Sequence, residues 1–328
     1  MALRAGASPA PELGQPVRTD PGVRSHPAPL VSVIVPVFNA AATVRRSIES
    51  LQQQTLRDIE IVVVNDGSTD ATSSILADLA SGDTRLRVLD RTVNEGLVAS
   101  LQEGLAASRA PLIARLDADD ISHARRLEMQ VSSFEAPDVV LCATAYRRVH
   151  PDGRILRESR PPTTHGALAA ALLDSNRICH SSVMFRHDVA ASLGGYRAKW
   201  YPAEDYDLWL RLMEVGRYVG IDELLVDYLV NAEGVSTANS AVQQERLGAR
   251  RSEYRWLVIG ADASPTGSPR VAELARRQLR ATLLSRGIQP DGLDAQCYSM
   301  ALSGQSTAWR RRARMLTAPT LVRSGRKH

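Results

Sequence analysis

The chain is short of cysteine, lysine and aromatic residues, and it has no long apolar run. Three cysteines in 328 residues (Cys142, Cys179, Cys297), none in a CxxC pair, exclude a zinc ribbon, a redox pair and a disulfide-stapled scaffold. They fit a reducing compartment, where isolated cysteines act as small apolar residues. No stretch approaches the roughly 18 apolar residues of a membrane span. The first thirty residues hold charges, prolines and glycines but no apolar h-region. That excludes a secretory signal and predicts a disordered leader over 1–30.

Only Lys199 and Lys327 are lysines, so arginine supplies 38 of the 40 basic residues, a skew that matches codon bias in a GC-rich genome. Acidic residues are absent from 301–328, where seven basic ones lie, and without those seven the net charge of +4 becomes −3. The basic character is therefore a terminal segment, and a nucleic-acid-binding protein is disfavoured. With 44% hydrophobic and 23% charged residues, the chain can bury a sizeable core. Two phosphate-cradling motifs are also missing: there is no GxGxxG after the first strand run and no GxxxxGK[ST]. A bound phosphate would need another partner, such as a cation held by carboxylates.

What is present is alternation. VSVIVPVF (31–38) reads as a buried strand that Pro36 brings to a stop. Val44, Ile48 and Leu51 recur at helical spacing over 43–54. A second strand over 59–64 leads to Asp70, which suits the N-cap of a helix carrying Ile75 and Leu79. A strand over 85–90 precedes a helix over 97–108 with Leu97, Leu101 and Leu105 on one stripe. The strand over 111–116 then runs into Asp117-Ala118-Asp119-Asp120. Four alternations predict right-handed βαβ units and a mostly parallel sheet flanked by helices.

In such sheets ligands sit beyond the carboxyl ends of the strands, and the polar clusters fall there: Asn39, then Asn65-Asp66-Gly67-Ser68, then Asn94, then the aspartates. Further on, the pattern predicts a hairpin around Pro151-Asp152-Gly153, a strand over 178–186, and a helix over 203–215 with Leu208, Leu212 and Val215 inward. From about residue 240 it is helical and rich in arginine.

Two acidic features can carry chemistry. At a strand end alternate residues point the same way, so Asp117 and Asp119 can face one ligand, and carboxylates of this kind hold Mg²⁺ or Mn²⁺. Glu204-Asp205 follows a glycine and aromatic stretch (Gly194, Gly195, Tyr196, Trp200, Tyr201) suited to stacking on sugar faces. A helix start with dipole-favoured acids is the simpler reading of that pair. Arg115, inside a strand, needs an acidic partner if buried.

The segments VSVIVPVFNAAATVRRSIESLQQQTLRDIEIVVVNDGSTDAT, NEGLVASLQEGLAAS, ARLDADDI and GGYR…AEDYDLWLRL resemble family 2 glycosyltransferases, over about 31–231. The resemblance implies inverting enzymes of the Rossmann-like GT-A fold that use nucleotide sugars and a divalent metal, Mn²⁺ or Mg²⁺. Asp66 then resembles the aspartate on the nucleobase, with an Asx turn as its local alternative. Pro36, Phe38 and Asn39 resemble the wall of the base pocket. Asp117 resembles the residue near ribose and donor sugar that shares the metal, Asp119 the metal ligand, and Asp205 the general base. Asn94 is a donor-site residue or a helix cap, and His180 a core residue or a ligand.

The implied organisation is a leader over 1–30, a GT-A domain over 31–240 and a helical basic C-terminal extension over 241–328. Within the domain, 31–120 is the nucleotide-binding half and 121–240 the acceptor half. The implied donor is a nucleotide sugar, UDP-linked before dTDP or GDP, and the acceptor a saccharide or lipid-linked hydroxyl in cell-surface polysaccharide or glycolipid synthesis. The implied location is cytoplasmic, with the basic segment around Trp309 and Arg310 able to meet an anionic membrane surface. A non-catalytic nucleotide-sugar or polysaccharide-binding module of the same fold is the alternative. A sugar-phosphate nucleotidyltransferase lacks its glycine-rich phosphate loop here.

Overall fold

The structure, a computed structural model, describes residues 28–230 and 240–259. Its first half alternates β1 (Val31–Val37), α1 (Val44–Gln52), β2 (Ile59–Asn65), α2 (Thr72–Gly82), β3 (Leu86–Asp90), α3 (Leu97–Ala107) and β4 (Leu112–Arg115). These strands are parallel in the order β3-β2-β1-β4. Helices cover both faces, so β1 and β2 are buried along their whole length. Val31, Val33, Val35 and Val37 pack with Val44, Ile48, Leu51 and Leu76 of α1 and α2. Ile34, on the opposite face, packs with Val98, Leu101 and Leu105 of α3.

Pro36 lies inside the central strand β1, paired in register with Val64. It is tolerated because of direction. The Leu116 N–H donates to the Ile34 carbonyl, so even-numbered groups of β1 face β4, and β4 ends at Arg115. The missing N–H of Pro36 points past the neighbouring strand and costs no ladder bond.

The second half contains β5 (Ile121–Ser122), α4 (Arg126–Val131), β6 (Val139–Val149), β7 (Ile155–Ser159), α5 (His165–Asp174), β8 (Val183–Arg186), α6 (His187–Ser192), α7 (Glu204–Leu212), β9 (Arg217–Leu229) and α8 (Ser240–Ile259). The same sheet continues β4-β8-β6-β9-β5, with β7 against β6 as the predicted hairpin. β8 is antiparallel to β4 and β6, β9 is parallel to β6, and β5 is antiparallel to β9. The sheet is parallel through the first half and mixed beyond β4.

Four local expectations change. The strand predicted over 178–186 begins only at Val183. The Ser182 N–H and hydroxyl both bond the Cys179 carbonyl, closing a turn in place of a ladder. Val215 is 53% exposed and outside α7. The chain tightens there with i→i+3 bonds at Glu214 and Val215 to reach Gly216, whose backbone leaves no room for a side chain beside Val140. Ala71, not Asp70, is the N-cap of α2. The Asp70 carboxylate instead accepts from the Thr72 and Ala41 N–H groups at 3.0 and 3.1 Å, tying α2 to the loop before α1. Leu97 is half-buried, and Val98 takes its place on the core stripe of α3.

Among the described residues no helix is long and apolar enough to cross a membrane. Residues 1–27 of the expected leader over 1–30, Cys297 and the basic segment over 301–328 lie outside them.

Candidate active site

The loops after β1, β2 and β3 are bonded into one rim. Phe38 is 49% exposed at the end of β1, beside Asn39 with φ 48°. The Asn39 N–H donates to Ser68 Oγ at 2.9 Å, and its side-chain oxygen accepts from the Thr69 N–H at 2.8 Å. Asp66 is buried at the end of β2. Its carboxylate accepts from the Glu95 N–H at 2.9 Å, the Gly96 N–H at 2.8 Å and the Arg91 guanidinium at 3.0 Å. Burial pushes its pKa up, but the two amides and Arg91 outweigh it and leave Asp66 below its ordinary range. Gly67 follows at φ 69°, where a Cβ would lie 2.7 Å from Val93 and 2.8 Å from Asn94 backbone atoms. Only glycine fits that crossing of loops. Asn94 is exposed, and Gly96, not Asn94, caps α3.

The aspartate cluster is a turn and not a strand end. β4 stops at Arg115, and the Asp120 N–H donates to the Asp117 carbonyl at 3.2 Å. This turn brings one carboxylate oxygen from each of Asp117, Asp119 and Asp120 within 4.8 Å of the others. Strand alternation would have left Asp120 facing away, which is why the sequence pattern singled out only the first two. Asp120 is fully buried. Its Oδ1 accepts from the Leu229 N–H at 2.8 Å, and its Oδ2 has no hydrogen-bond partner among the described residues. Burial and the Asp117 charge push Asp119 up to about 6, and burial with Asp117 and Asp119 raises Asp120 well above the carboxylate range. Three crowded carboxylates with an orphaned buried oxygen fit a hard divalent cation with oxygen ligands.

Arg115 pairs with an acidic residue, as its burial requires. Its Nη2 bonds Asp117, and its Nη1 donates to Ser181 Oγ at 3.0 Å. The same hydroxyl accepts the Asp117 N–H at 3.0 Å, so Ser181 orients both partners. His180 is an aromatic-cage residue: Nε2 lies 2.9 Å from the Tyr196 hydroxyl, and the ring contacts Tyr196 and Trp209. Burial, then Arg115, holds it neutral, well below the ordinary histidine pKa.

Glu204 and Asp205 open α7. The Asp205 carboxylate accepts from Asn176 Nδ2 at 2.8 Å and from the Tyr206 N–H at 2.6 Å. Burial, then Asp205, pushes Glu204 up to about 8, and its Oε2 has no partner among the described residues. Burial also raises Asp205. Both acids feel the charges of Arg115 and Asp117, although 84 residues separate Glu204 from Asp120 in the chain. Asp120, Ser181 and Asn176 are the site residues that sequence reading missed. Asp120 was visible beside the DxD pair, whereas Ser181 and Asn176 carry no pattern.

Comparison with known proteins gives a consistent picture. The family model described as glycosyl transferase family 2 matches residues 32–193. An uncharacterized glycosyltransferase of Haemophilus influenzae is 30% identical over 262 residues, covering 75% of this chain and 80% of that one. The amylovoran biosynthesis glycosyltransferase AmsE of Erwinia amylovora is 33% identical over 228 residues, covering 66% and 85%. The chain also matches a chondroitin synthase of Pasteurella multocida at 27% identity, spanning only 22% of its length. Among solved structures, S. aureus TarS 1-349 in complex with UDP-GlcNAc has a TM-score of 0.59 at 16% identity, over 87% of each chain. The mannosyltransferase PcManGT of Pyrobaculum calidifontis, in complex with GDP-Man and Mn²⁺, has a TM-score of 0.55 at 18% identity, over 88% and 85%. The structural likenesses carry the fold.

Proposed function

The chain belongs to glycosyl transferase family 2, and from that premise we propose that it moves a sugar from a nucleoside-diphosphate sugar to an acceptor hydroxyl with inversion. One observation carries this reading: the Glu204-Asp205 pair and the aspartate turn share the electrostatic neighbourhood of Arg115. A base near a phosphate-neutralising cluster is what a single in-line displacement needs.

Asp205 is the proposed general base. Asn176 and the Tyr206 N–H fix its carboxylate, and its raised pKa makes it a stronger proton acceptor from a hydroxyl at neutral pH. Glu204, pushed up to about 8, keeps its proton there. Asp117, Asp119 and Asp120 would hold Mn²⁺ or Mg²⁺. When bound, such a cation supplies Lewis-acid stabilisation of the leaving diphosphate. Arg115 holds Asp117 in place. Pro36, Phe38, Asn39, Asp66 and Asn94 are the proposed base-end wall, with the Asp66 anchor keeping its loops together.

For the donor, UDP sugars come first and GDP sugars second, since relatives of the fold are seen with UDP-GlcNAc and GDP-Man. Relatives named for amylovoran biosynthesis and chondroitin synthesis support a part in polysaccharide synthesis. A cell-surface polysaccharide or glycolipid product and a place of work at the cytoplasmic face are the proposal's own. On this reading 31–240 is the transferase domain, and the basic residues of 301–328 meet anionic lipid, each contributing about 1 kcal/mol near the surface. Co-sedimentation with anionic against neutral liposomes checks that contact. The decisive experiment for the activity is a thermal-shift screen of UDP, GDP and dTDP with and without Mn²⁺, followed by nucleotide release from the corresponding sugars. Absence of any metal-dependent nucleotide shift would sink the reading.

A further inference from the structure

Asp207 lies on α7, two residues after Asp205, and is fully buried. Three guanidiniums close on its carboxylate. Arg197, from the loop before α7, donates from Nε at 2.8 Å and pairs again through Nη2. Arg211, one turn along α7, donates from Nε at 3.0 Å. Arg250, from α8, donates from Nε at 2.6 Å. Arg211 also binds the Leu193 and Gly195 carbonyls at 2.7 and 2.5 Å, tying in the glycine loop.

Arg250 belongs to a different part of the chain from the other two. It is buried, and its guanidinium carbon lies 5.4 Å from the centroid of the Trp200 ring. Gln243 Nε2 donates to the Pro202 carbonyl at 3.0 Å, and Leu247 packs against the core cluster that contains Trp209 and Leu210. Gln243, Leu247 and Arg250 recur at i, i+4 and i+7, so one stripe of α8 meets α7 and the loop before it. The helix therefore grips residues 200 and 202 on one side of Glu204-Asp205 and residue 207 on the other.

Arg197 and Arg211 already bond both oxygens of Asp207 without Arg250. A third buried guanidinium adds desolvation cost, and apolar packing would hold two helices together as well. What a directed, stacked arginine adds is registry.

We propose that Arg250 is a positioning residue for transfer, fixing the first turn of α7 so that the Asp205 carboxylate is held at the angle the acceptor hydroxyl requires. The proposal rests on Asp205 being the base. It gives α8 a part in catalysis, although that helix supplies no group that touches substrate. A displacement of about 1 Å at a reacting group costs on the order of 10²-fold in rate.

The test uses the full-length protein with Arg250→Met, Arg250→Lys and Asp205→Asn. UDP affinity in Mn²⁺ is measured by calorimetry, and amide exchange over 200–207 by mass spectrometry. Turnover against pH follows UDP release from UDP-GlcNAc or GDP release from GDP-mannose, whichever the wild type supports. Arg250→Met should keep nucleotide affinity within about twofold and speed exchange at 204–207. It should also lower kcat by about 10- to 100-fold and move the pH limb set by Asp205, and Arg250→Lys should recover part of each. Unchanged kcat and pH profile per folded molecule would overturn the proposal. So would Lys and Met variants that lose activity alike, in proportion to unfolded protein. If Asp205→Asn keeps turnover, the base reading fails and Arg250's role falls with it. If Asp205→Asn is inactive while Arg250→Met matches the wild type, Arg250 alone is wrong.

Discussion

Arg115 and Asp117, two residues apart where β4 ends, form an ion pair in which the arginine side chain is 2% exposed and the carboxylate 31%. The pair fixes how much of Asp117 remains for a cation. Arg115 takes Oδ1, so Oδ2 is the oxygen that stays with the cluster, where Ser181 reaches it only at 3.3 Å.

Arg115→Met should lower stability by about 3 kcal/mol, the low end for breaking a buried pair, because Asp117 keeps some water. Without the guanidinium, the carboxylate cluster loses the positive charge bonded to Asp117. Added Mn²⁺ should therefore restore more stability to the variant than to the wild type. Urea unfolding with EDTA and with Mn²⁺ measures both, and equal metal effects in the two proteins would contradict the account.

Asp119 gives a pH signature. Its folded pKa is raised to about 6 by burial and by Asp117, above the unfolded value of about 4. A raised carboxylate favours the folded state below the unfolded pKa, and that contribution is lost as pH climbs through the folded one. In EDTA, wild-type stability relative to Asp119→Asn should thus fall between about pH 4 and pH 6. With Mn²⁺ the order reverses at pH 7, where the variant loses metal-dependent nucleotide binding. Melting curves across that pH range, with and without Mn²⁺, check both signs.

The β1-to-β4 alternation was legible because strands buried on both faces leave unbroken β-branched runs, as in VSVIVPV and IEIVVVN. The strand-end polar clusters then pointed to a candidate site, since parallel topology puts ligands at one end of the sheet. The mixed half was harder. β8 shrank to four residues because serine hydroxyls captured backbone groups that a strand would have paired. Asp120 and Asn176 joined the site through a turn and a long-range contact that no period-2 or period-3.6 pattern encodes. Nothing in the sequence pattern set Asp207 apart, since its three arginines come from 197, 211 and 250, spacings visible only after folding.

Gly67 tests the rim. At φ 69°, with Val93 and Asn94 backbone inside 3 Å of any Cβ, Gly67→Ala must strain the turn and push the loops after β2 and β3 apart. The expected loss is about 1–3 kcal/mol. Because these loops carry Asp66 and Asn94, and the one after β2 bonds Asn39, UDP affinity should fall as well. Asp119→Asn, by contrast, should weaken binding only with metal present. Calorimetric titration of UDP into both variants, with and without Mn²⁺, separates a damaged base end from a damaged diphosphate end.

Glu204 and Asp205 are adjacent acids with different expected roles, and two isosteric changes tell them apart. Asp205→Asn removes the proton acceptor while keeping the size of the side chain. Turnover should fall by roughly 10²–10⁴-fold, with UDP affinity in Mn²⁺ retained. Glu204 is pushed up to about 8, so at pH 7 it is already the neutral acid that glutamine imitates. Glu204→Gln should keep wild-type turnover near pH 7 within a few-fold. Above pH 8 the proteins part: wild-type Glu204 ionises, placing a negative charge beside Asp205 and strengthening its hold on a proton, whereas the glutamine cannot. The wild type should show a kinetic change near pH 8 that Glu204→Gln lacks. A Glu204→Gln protein as impaired at pH 7 as Asp205→Asn would mean that Glu204, and not Asp205, takes the acceptor's proton.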